Sequence, residues 1–341
     1  MSKADVAAAI LWVGATFYAL FGGADFGGGF WDLIAGGAEK GERPRALIQR
    51  SLTPVWEANH VWLIFILVVL WTAFPDAFAA VMTTLYAPIA LAAVGIVLRG
   101  AGFAFRKSIV SLQGRRAMGA AFAISSVLTP FFMGTVVGAI AAGNVPAAGN
   151  GDAFSSWIAP LPLLVGVLFV ASGAYLAAIF LSADAHSGEA PGPGSDEPAD
   201  LEAYFARRAL VAAAVAGALA LAGIFALHAE ARYLFDRLTD QALPLVVVSA
   251  LCGLAVLGLL LRGRHHPGAR PAAVAAVVAV IWGWGVAQFP YLLPTSLKIS
   301  QSAAPDSTLD AVLVVFAIAV IVVLPALGLL YWLSQKDLLS E

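Results

Sequence analysis

Trp157-Ile-Ala-Pro-Leu-Pro-Leu-Leu-Val-Gly-Val-Leu-Phe-Val-Ala-Ser-Gly-Ala-Tyr-Leu-Ala-Ala-Ile-Phe-Leu181 contains no charged side chain. A helix of about 20 mostly apolar residues crosses the hydrocarbon core of a bilayer, and this stretch is long enough. Four comparable stretches precede it: Val6–Phe26, Val55–Phe74, Phe78–Phe103 and Ala117–Ala141. Four follow it: Arg208–Leu227, Leu243–Leu261, Ala272–Phe289 and Leu309–Leu333. None shows the strict apolar–polar alternation of a barrel strand. In lipid that leaves helices, whose backbone groups are satisfied within each segment. Composition agrees. Of 341 residues, 61% are hydrophobic and 12% charged, with a mean hydropathy of +0.88, whereas a soluble domain carries about 25% charged residues. The expected fold is all-α, a polytopic membrane protein with about nine transmembrane helices.

The basic residues set an orientation. Fourteen of the 19 Lys and Arg fall in alternate connections: Lys40 to Arg50, Arg106 to Arg116, Arg207–Arg208, Arg262 to Arg270, and Lys336. Lys3, Arg232, Arg237 and Lys298 fall on the opposite side, and Arg99 lies within the third stretch. The positive-inside rule puts the fourteen in the cytoplasm, the N-terminus outside and the C-terminus inside. Only Lys3 precedes the first stretch and no small-residue cleavage pattern follows it, so it reads as a retained helix continuing to about Gly36. Ser182–Glu202 holds six acids with Gly, Pro and Ser but no Lys or Arg, and reads as a flexible cytoplasmic linker. It divides a motif-bearing half, 1–181, from a second helical half, 203–341, with the linker at 182–202. A net charge of -2 gives no sign of a nucleic-acid partner, and the single cysteine, Cys252, cannot form an internal disulfide.

Charges inside the apolar stretches are costly and are functional candidates. Asp25 sits in Gly22-Gly-Ala-Asp-Phe-Gly-Gly-Gly29. Glu57 sits in Pro54-Val-Trp-Glu-Ala-Asn-His-Val-Trp62. Arg99 sits in Leu98-Arg-Gly-Ala-Gly-Phe103. With the spans oriented as above, all three fall in the cytoplasmic half, where two acids and an arginine could pair. For Asp25 and Arg99 a helix-joining role outweighs chemistry. Glu57 shares a helix face with Trp56 and His60, with Asn59 beside them, and reads more as a hydrophilic proton path than as a capped helix start.

Of five histidines only His60 falls at membrane depth within a helix. One candidate is a poor basis for several haems, so no haem is expected on this chain, and no metal cluster or phosphate loop is expected either. Trp12, Trp31, Trp71, Trp157 and Trp332 read as interfacial belts. Trp282, Trp284 and Gln288, ahead of Phe289-Pro-Tyr-Leu-Leu-Pro294, could meet a quinone ring or lipid; a belt followed by a proline-stiffened loop is the simpler account.

These motifs resemble the cytochrome bd-type quinol oxidase subunit II family. Gly23-Ala-Asp25-Phe-Gly-Gly-Gly29 is similar to the motif that ends that family's first helix. Pro54-Val-Trp56-Glu57-Ala-Asn59-His60-Val-Trp62 is similar to its Pro-x-Trp-Asp-Gly-Asn-x-Val-Trp signature. Phe74-Pro75, Arg99 with Gly102-Phe103, and Gln288 to Pro294 extend the likeness. Glu57 stands where the family has Asp, Ala58 where it has Gly, and His60 where it often has Gln or Glu. The resemblance implies two four-helix bundles plus a peripheral helix in a bacterial cytoplasmic membrane. It implies a heterodimer with a subunit I bearing b- and d-type haems, quinol oxidation and dioxygen reduction by the pair, and allows a structural quinone and small single-helix accessory subunits. It implies that Glu57 faces a proton path, with Asp25 and His60 on it and Arg99, Trp56 and Asn59 supporting. The competing reading is a secondary transporter with an Asp25–Glu57–Arg99 ion or substrate site.

Overall fold

In a computed structural model, residues 2–37, 40–52, 56–106, 111–186, 198–262 and 267–335 are described. Ser2 and Asp5 cap each other's backbone N–H groups and start α1 (Lys3–Phe17). A π-helical turn, Tyr18–Gly22, leads into α2 (Gly23–Leu33), which stops short of Gly36, where φ is +103°. Then come α3 (Glu42–Leu52), α4 (Trp56–Ala73), α5 (Pro75–Thr84), α6 (Tyr86–Arg106), α7 (Leu112–Ala141), α8 (Pro160–His186) and α9 (Pro198–Glu230). The chain continues with α10 (Arg232–Thr239), α11 (Leu243–Arg262), α12 (Ala269–Gln288), β1 (Tyr291–Leu293), β2 (Leu297–Lys298), α13 (Ile299–Ser302) and α14 (Asp306–Gln335). β1 and β2 form one small antiparallel hairpin, the only strands among the described residues. Among the described residues eight helical segments are long and apolar enough to cross a membrane, or nine if one bent pair counts as a crossing.

That bent pair corrects the third expected stretch. Phe78 does not open a span: α5 leaves α4 at 118°, and the crossing begins only at Tyr86. Pro75 explains the bend. It forces Phe74 out of helical geometry, to φ -139° and ψ 62°, and then starts a new helix. Leu85, at φ -108° and ψ 26°, closes α5 before α6 begins. Both ends of the expected linker segment are helical. α8 continues to His186 and α9 begins at Pro198, with residues 187–197 outside the described set. Asp184 is held by Arg270 and by the Ser51 hydroxyl (2.9 Å), and Glu202 meets His186 at 3.0 Å, so the ends of that acidic segment are tied into helices.

Backbone contact sets the packing of the motif-bearing helices. A Cβ placed on Gly27 of α2 would stand 2.0 Å from the Gly173 carbonyl oxygen of α8, so those helices touch main chain to main chain. α6 packs on α7, α7 on α8, and α2 lies against both α7 and α8. α8 also packs along α9, which meets α11, itself paired with α12. α14 rests on α1 and α4, its start held by Lys3 to Asp310 (2.7 Å). Tryptophan placement departs from the belt expectation. Trp31 and Trp157 are buried, and their indole N–H groups donate to the carbonyls of Ala174 (2.8 Å) and Ala153 (2.9 Å); that of Trp12 donates to Ile281 (3.0 Å). Each satisfies its one donor within the protein, which frees the ring to pack. Trp71 is exposed as a belt residue would be, and the side chain of Trp332 lies outside the described residues.

Candidate functional site

The π-turn inserts one residue and rotates everything after it by about 100° relative to α1. That turn carries Asp25 to the seam facing α6 and α7. Arg99 of α6 arrives from the other side. Its Nη2 donates to Asp25 Oδ1 at 2.6 Å and to the Asp25 carbonyl at 3.1 Å, and its Nη1 donates to the Ser126 hydroxyl of α7. Ser126 in turn donates to the Phe122 carbonyl at 2.6 Å. Both charged side chains are 1% exposed. The Phe122 and Phe26 rings lie 4.4 and 4.9 Å from the guanidinium carbon and wall it off. Gly29 is part of the cradle, because a Cβ there would fall 2.1 Å from Ser126 Oγ and 2.9 Å from Arg99 Nη1.

The arrangement is polar but incomplete. Asp25 Oδ2 and Arg99 Nε are buried without a partner among the described residues. His60 of α4 is half-buried, its ring edge-on to Phe26 at 6.1 Å, so α4 brings a titratable group to the rim of the pair. Asn59 is buried beside it. The side chains of Trp56 and Glu57 lie outside the described residues; the backbone places both in the first turn of α4. Among the described residues, no three of His, Cys, Asp and Glu gather closely enough to hold a metal ion.

The third sequence candidate, Trp282–Gln288, is separate from this pair. Trp284 packs on Trp12 with ring centroids 5.0 Å apart, and buried Gln288 donates to the Leu292 carbonyl at 2.7 Å, tying α12 to the hairpin. Trp284 Nε1 and Gln288 Oε1 remain buried without partners among the described residues. Beyond the hairpin, Ala304 N–H donates to the Ala73 carbonyl (2.9 Å) and the Ser302 hydroxyl accepts from Ala77 N–H (3.0 Å). These are two of the backbone groups that the α4–α5 break leaves open. Ser126, Ser302 and the π-turn carried no signal that set them apart from other small residues in apolar or loop sequence.

Eight or nine apolar helices, with a buried aspartate–arginine pair linking three of them, define a polytopic membrane protein with a charged internal joint. The family model for cytochrome bd terminal oxidase subunit II matches residues 4–334. The chain belongs to that family, which makes it one subunit of a cytochrome bd quinol oxidase complex and removes the ground for the transporter reading. It is 28% identical to the cytochrome bd ubiquinol oxidase subunit 2 of Bacillus subtilis (strain 168), over 38% of this chain and 36% of that relative. It is 20% identical to a second protein of that strain, to which the role of cytochrome bd menaquinol oxidase subunit II is ascribed, over 98% of this chain and 96% of the other. The fold matches a chain of the bd oxidase from Geobacillus thermodenitrificans with a TM-score of 0.76 at 24% identity, covering 97% of this chain and 98% of that one.

Proposed function

We propose that this chain is the haem-free subunit of a quinol oxidase whose other large subunit carries b- and d-type haems, and that it contributes a proton path from the cytoplasm. The complex would oxidise quinol and reduce dioxygen to water. The observation that carries the reading is the buried Asp25–Arg99 pair with His60 at its rim. A carboxylate held at 2.6 Å by a buried guanidinium cannot leave without stranding that cation. Asp25 and Arg99 therefore form the fixed wall of the path. Glu57, in the first turn of α4, is the group that loads and releases protons, with His60 one helical turn further on. Trp56 and Asn59 belong to the same helix start.

The chain would stabilise its haem-bearing partner and lie in a bacterial cytoplasmic membrane with its N-terminus outside. At the other end of the molecule, Trp284 Nε1–H is a buried donor, unpartnered among the described residues, of the kind a quinone carbonyl accepts from, with Trp282 and Gln288 nearby in sequence. Small single-helix accessory subunits fit the same architecture.

The test is a tagged chain purified in mild detergent from its native membrane. Reduced b- and d-type haem bands and a second large subunit are expected; a colourless, monodisperse preparation without such a partner refutes the reading. In the intact complex, Glu57→Gln should slow oxygen consumption and membrane charging by about 10²-fold or more, the usual share of a positioned proton-transfer group. Unchanged rates with the complex intact remove the proton role.

A further inference from the structure

Most of the arginines with described contacts hold an aspartate: Arg45 with Asp32, Arg99 with Asp25, Arg232 with Asp236 and Arg270 with Asp184. Arg208 does not. It is half-buried on α9, its guanidinium carbon 3.3 Å from the centre of the Tyr204 ring and 5.8 Å from that of Trp31 on α2. Its one hydrogen bond among the described residues is a long one, from Nη1 to the Tyr204 carbonyl at 3.3 Å. The Tyr204 hydroxyl is buried with no partner among the described residues. Trp31 is fixed by its bond to the Ala174 carbonyl, so the aromatic floor under the guanidinium is rigid. Arg207, beside it in the chain, is exposed.

The depth of Arg208 suits a lipid headgroup. α9 has 33 residues. At about 1.5 Å per residue, the run from Arg208 to Glu230 is about 33 Å, roughly the thickness of the hydrocarbon core. With Glu230 at one boundary, Arg208 stands at the other, on the side where α2 ends and α3 lies. A stacked, planar guanidinium with unused donors matches the oxygens of a phosphate. The hydroxyl at the edge of the same ring is within one anion's reach of it.

We infer that Arg208 and Tyr204, backed by Trp31, form a binding site for the phosphate of an anionic phospholipid between α2 and α9. Arg208 donates to the phosphate oxygens, Tyr204 adds its phenolic O–H, and Arg207 adds positive potential. The acyl chains would lie along α9, where Val211 and Val215 are exposed one and two turns on.

The test uses the purified oxidase complex, delipidated in detergent and given mixed micelles of phosphatidylglycerol and phosphatidylcholine. Native mass spectrometry counts bound lipid, and the thermal midpoint reports its effect. One tightly held phosphatidylglycerol that raises the midpoint is expected. Arg208→Gln should weaken that binding by at least about fivefold, the contribution of one basic residue at an anionic surface, and Tyr204→Phe by less. If Arg208→Gln does not assemble, Arg208→Lys, which has the charge without the planar fork, should also bind more weakly. Phosphatidylglycerol retention unchanged in the assembled Arg208 variant overturns the site. So does equal binding of phosphatidylcholine, and so does displacement of the lipid by millimolar inorganic phosphate, which would make free phosphate the ligand. None of these readouts depends on proton transfer, so the site and the Glu57 path stand or fall separately.

Discussion

Arg99 and Asp25 neutralise each other where water is absent, and the consequence is asymmetric. Removing one partner of a buried pair strands the other charge and costs about 3–5 kcal/mol, whereas removing both can be nearly neutral. Arg99→Gln alone should therefore lower the unfolding free energy of the purified complex by roughly that amount, and Asp25→Asn combined with Arg99→Gln should recover most of it. A double variant no more stable than the single would show that the pair does not act as a unit. Gly27→Ala meets a carbonyl oxygen instead of a flexible side chain, so α2 and α8 must separate; a loss of about 1–3 kcal/mol is expected. Outside the membrane, Asp152 accepts from the backbone N–H groups of Phe154 (2.9 Å) and Ser155 (2.7 Å) and from the Ser155 hydroxyl. These bonds favour its ionised form and hold its carboxyl below the usual carboxylate value. Its contribution is thus fully present above the ordinary carboxylate pKa and disappears as pH falls through the lower folded value. A thermal-midpoint difference between the parent and Asp152→Asn should exist at neutral pH and vanish in that acid window; a difference independent of pH would contradict this.

At the scale of elements, the α4–α5 break is the feature most dependent on distant chain. Phe74-Pro75 ends one helix and starts the next, and the Ala73 carbonyl and Ala77 N–H thereby lose their helical partners. Ala304 and Ser302 supply the missing bonds. Ser302→Ala would leave a buried N–H unpaired, a cost of about 1–3 kcal/mol. Amide hydrogen exchange across residues 74–80 should speed up in that variant while exchange in α8 stays the same. Faster exchange spread evenly over the chain would mean that the hairpin region does not lock the break locally. Apolar content read along the chain placed every helix that could cross, because hydropathy is a local property. It joined α5 to α6 in one span, because apolar composition does not record the bend at Phe74-Pro75 or the helix end at Leu85.

For the whole molecule, alternation of basic connections predicts which loops share a side. Cys252 is the chain's one cysteine and is partly buried. In a Cys252→Ser background, Asp152→Cys and Asp240→Cys should react with a membrane-impermeant maleimide added to intact spheroplasts. Pro267→Cys should react only after lysis. Labelling of Pro267→Cys in intact spheroplasts would invert the proposed orientation. The same topology puts Asp25, Arg99 and the start of α4 at the α3 side of the bundle, with the hairpin and the α4–α5 break at the other. The proposed proton path and the quinone-like donor of α12 thus belong to opposite faces.

The sequence by itself determined the all-helical membrane class, the approximate number of crossings and the three charges worth attention. Their cost in lipid is set by residue type and depth, both legible along the chain. It also placed Asp25 and Arg99 at one level, although they lie 74 positions apart. Only the tertiary structure decided that Ser126 completes the arginine's shell, that Ser302 closes a break 225 residues away, and that Arg208 stands on an aromatic floor. Those outcomes depend on which helix faces meet, and the helices meet as they do because a π-turn rotates α2 and glycines let backbones touch, geometry that hydropathy does not encode.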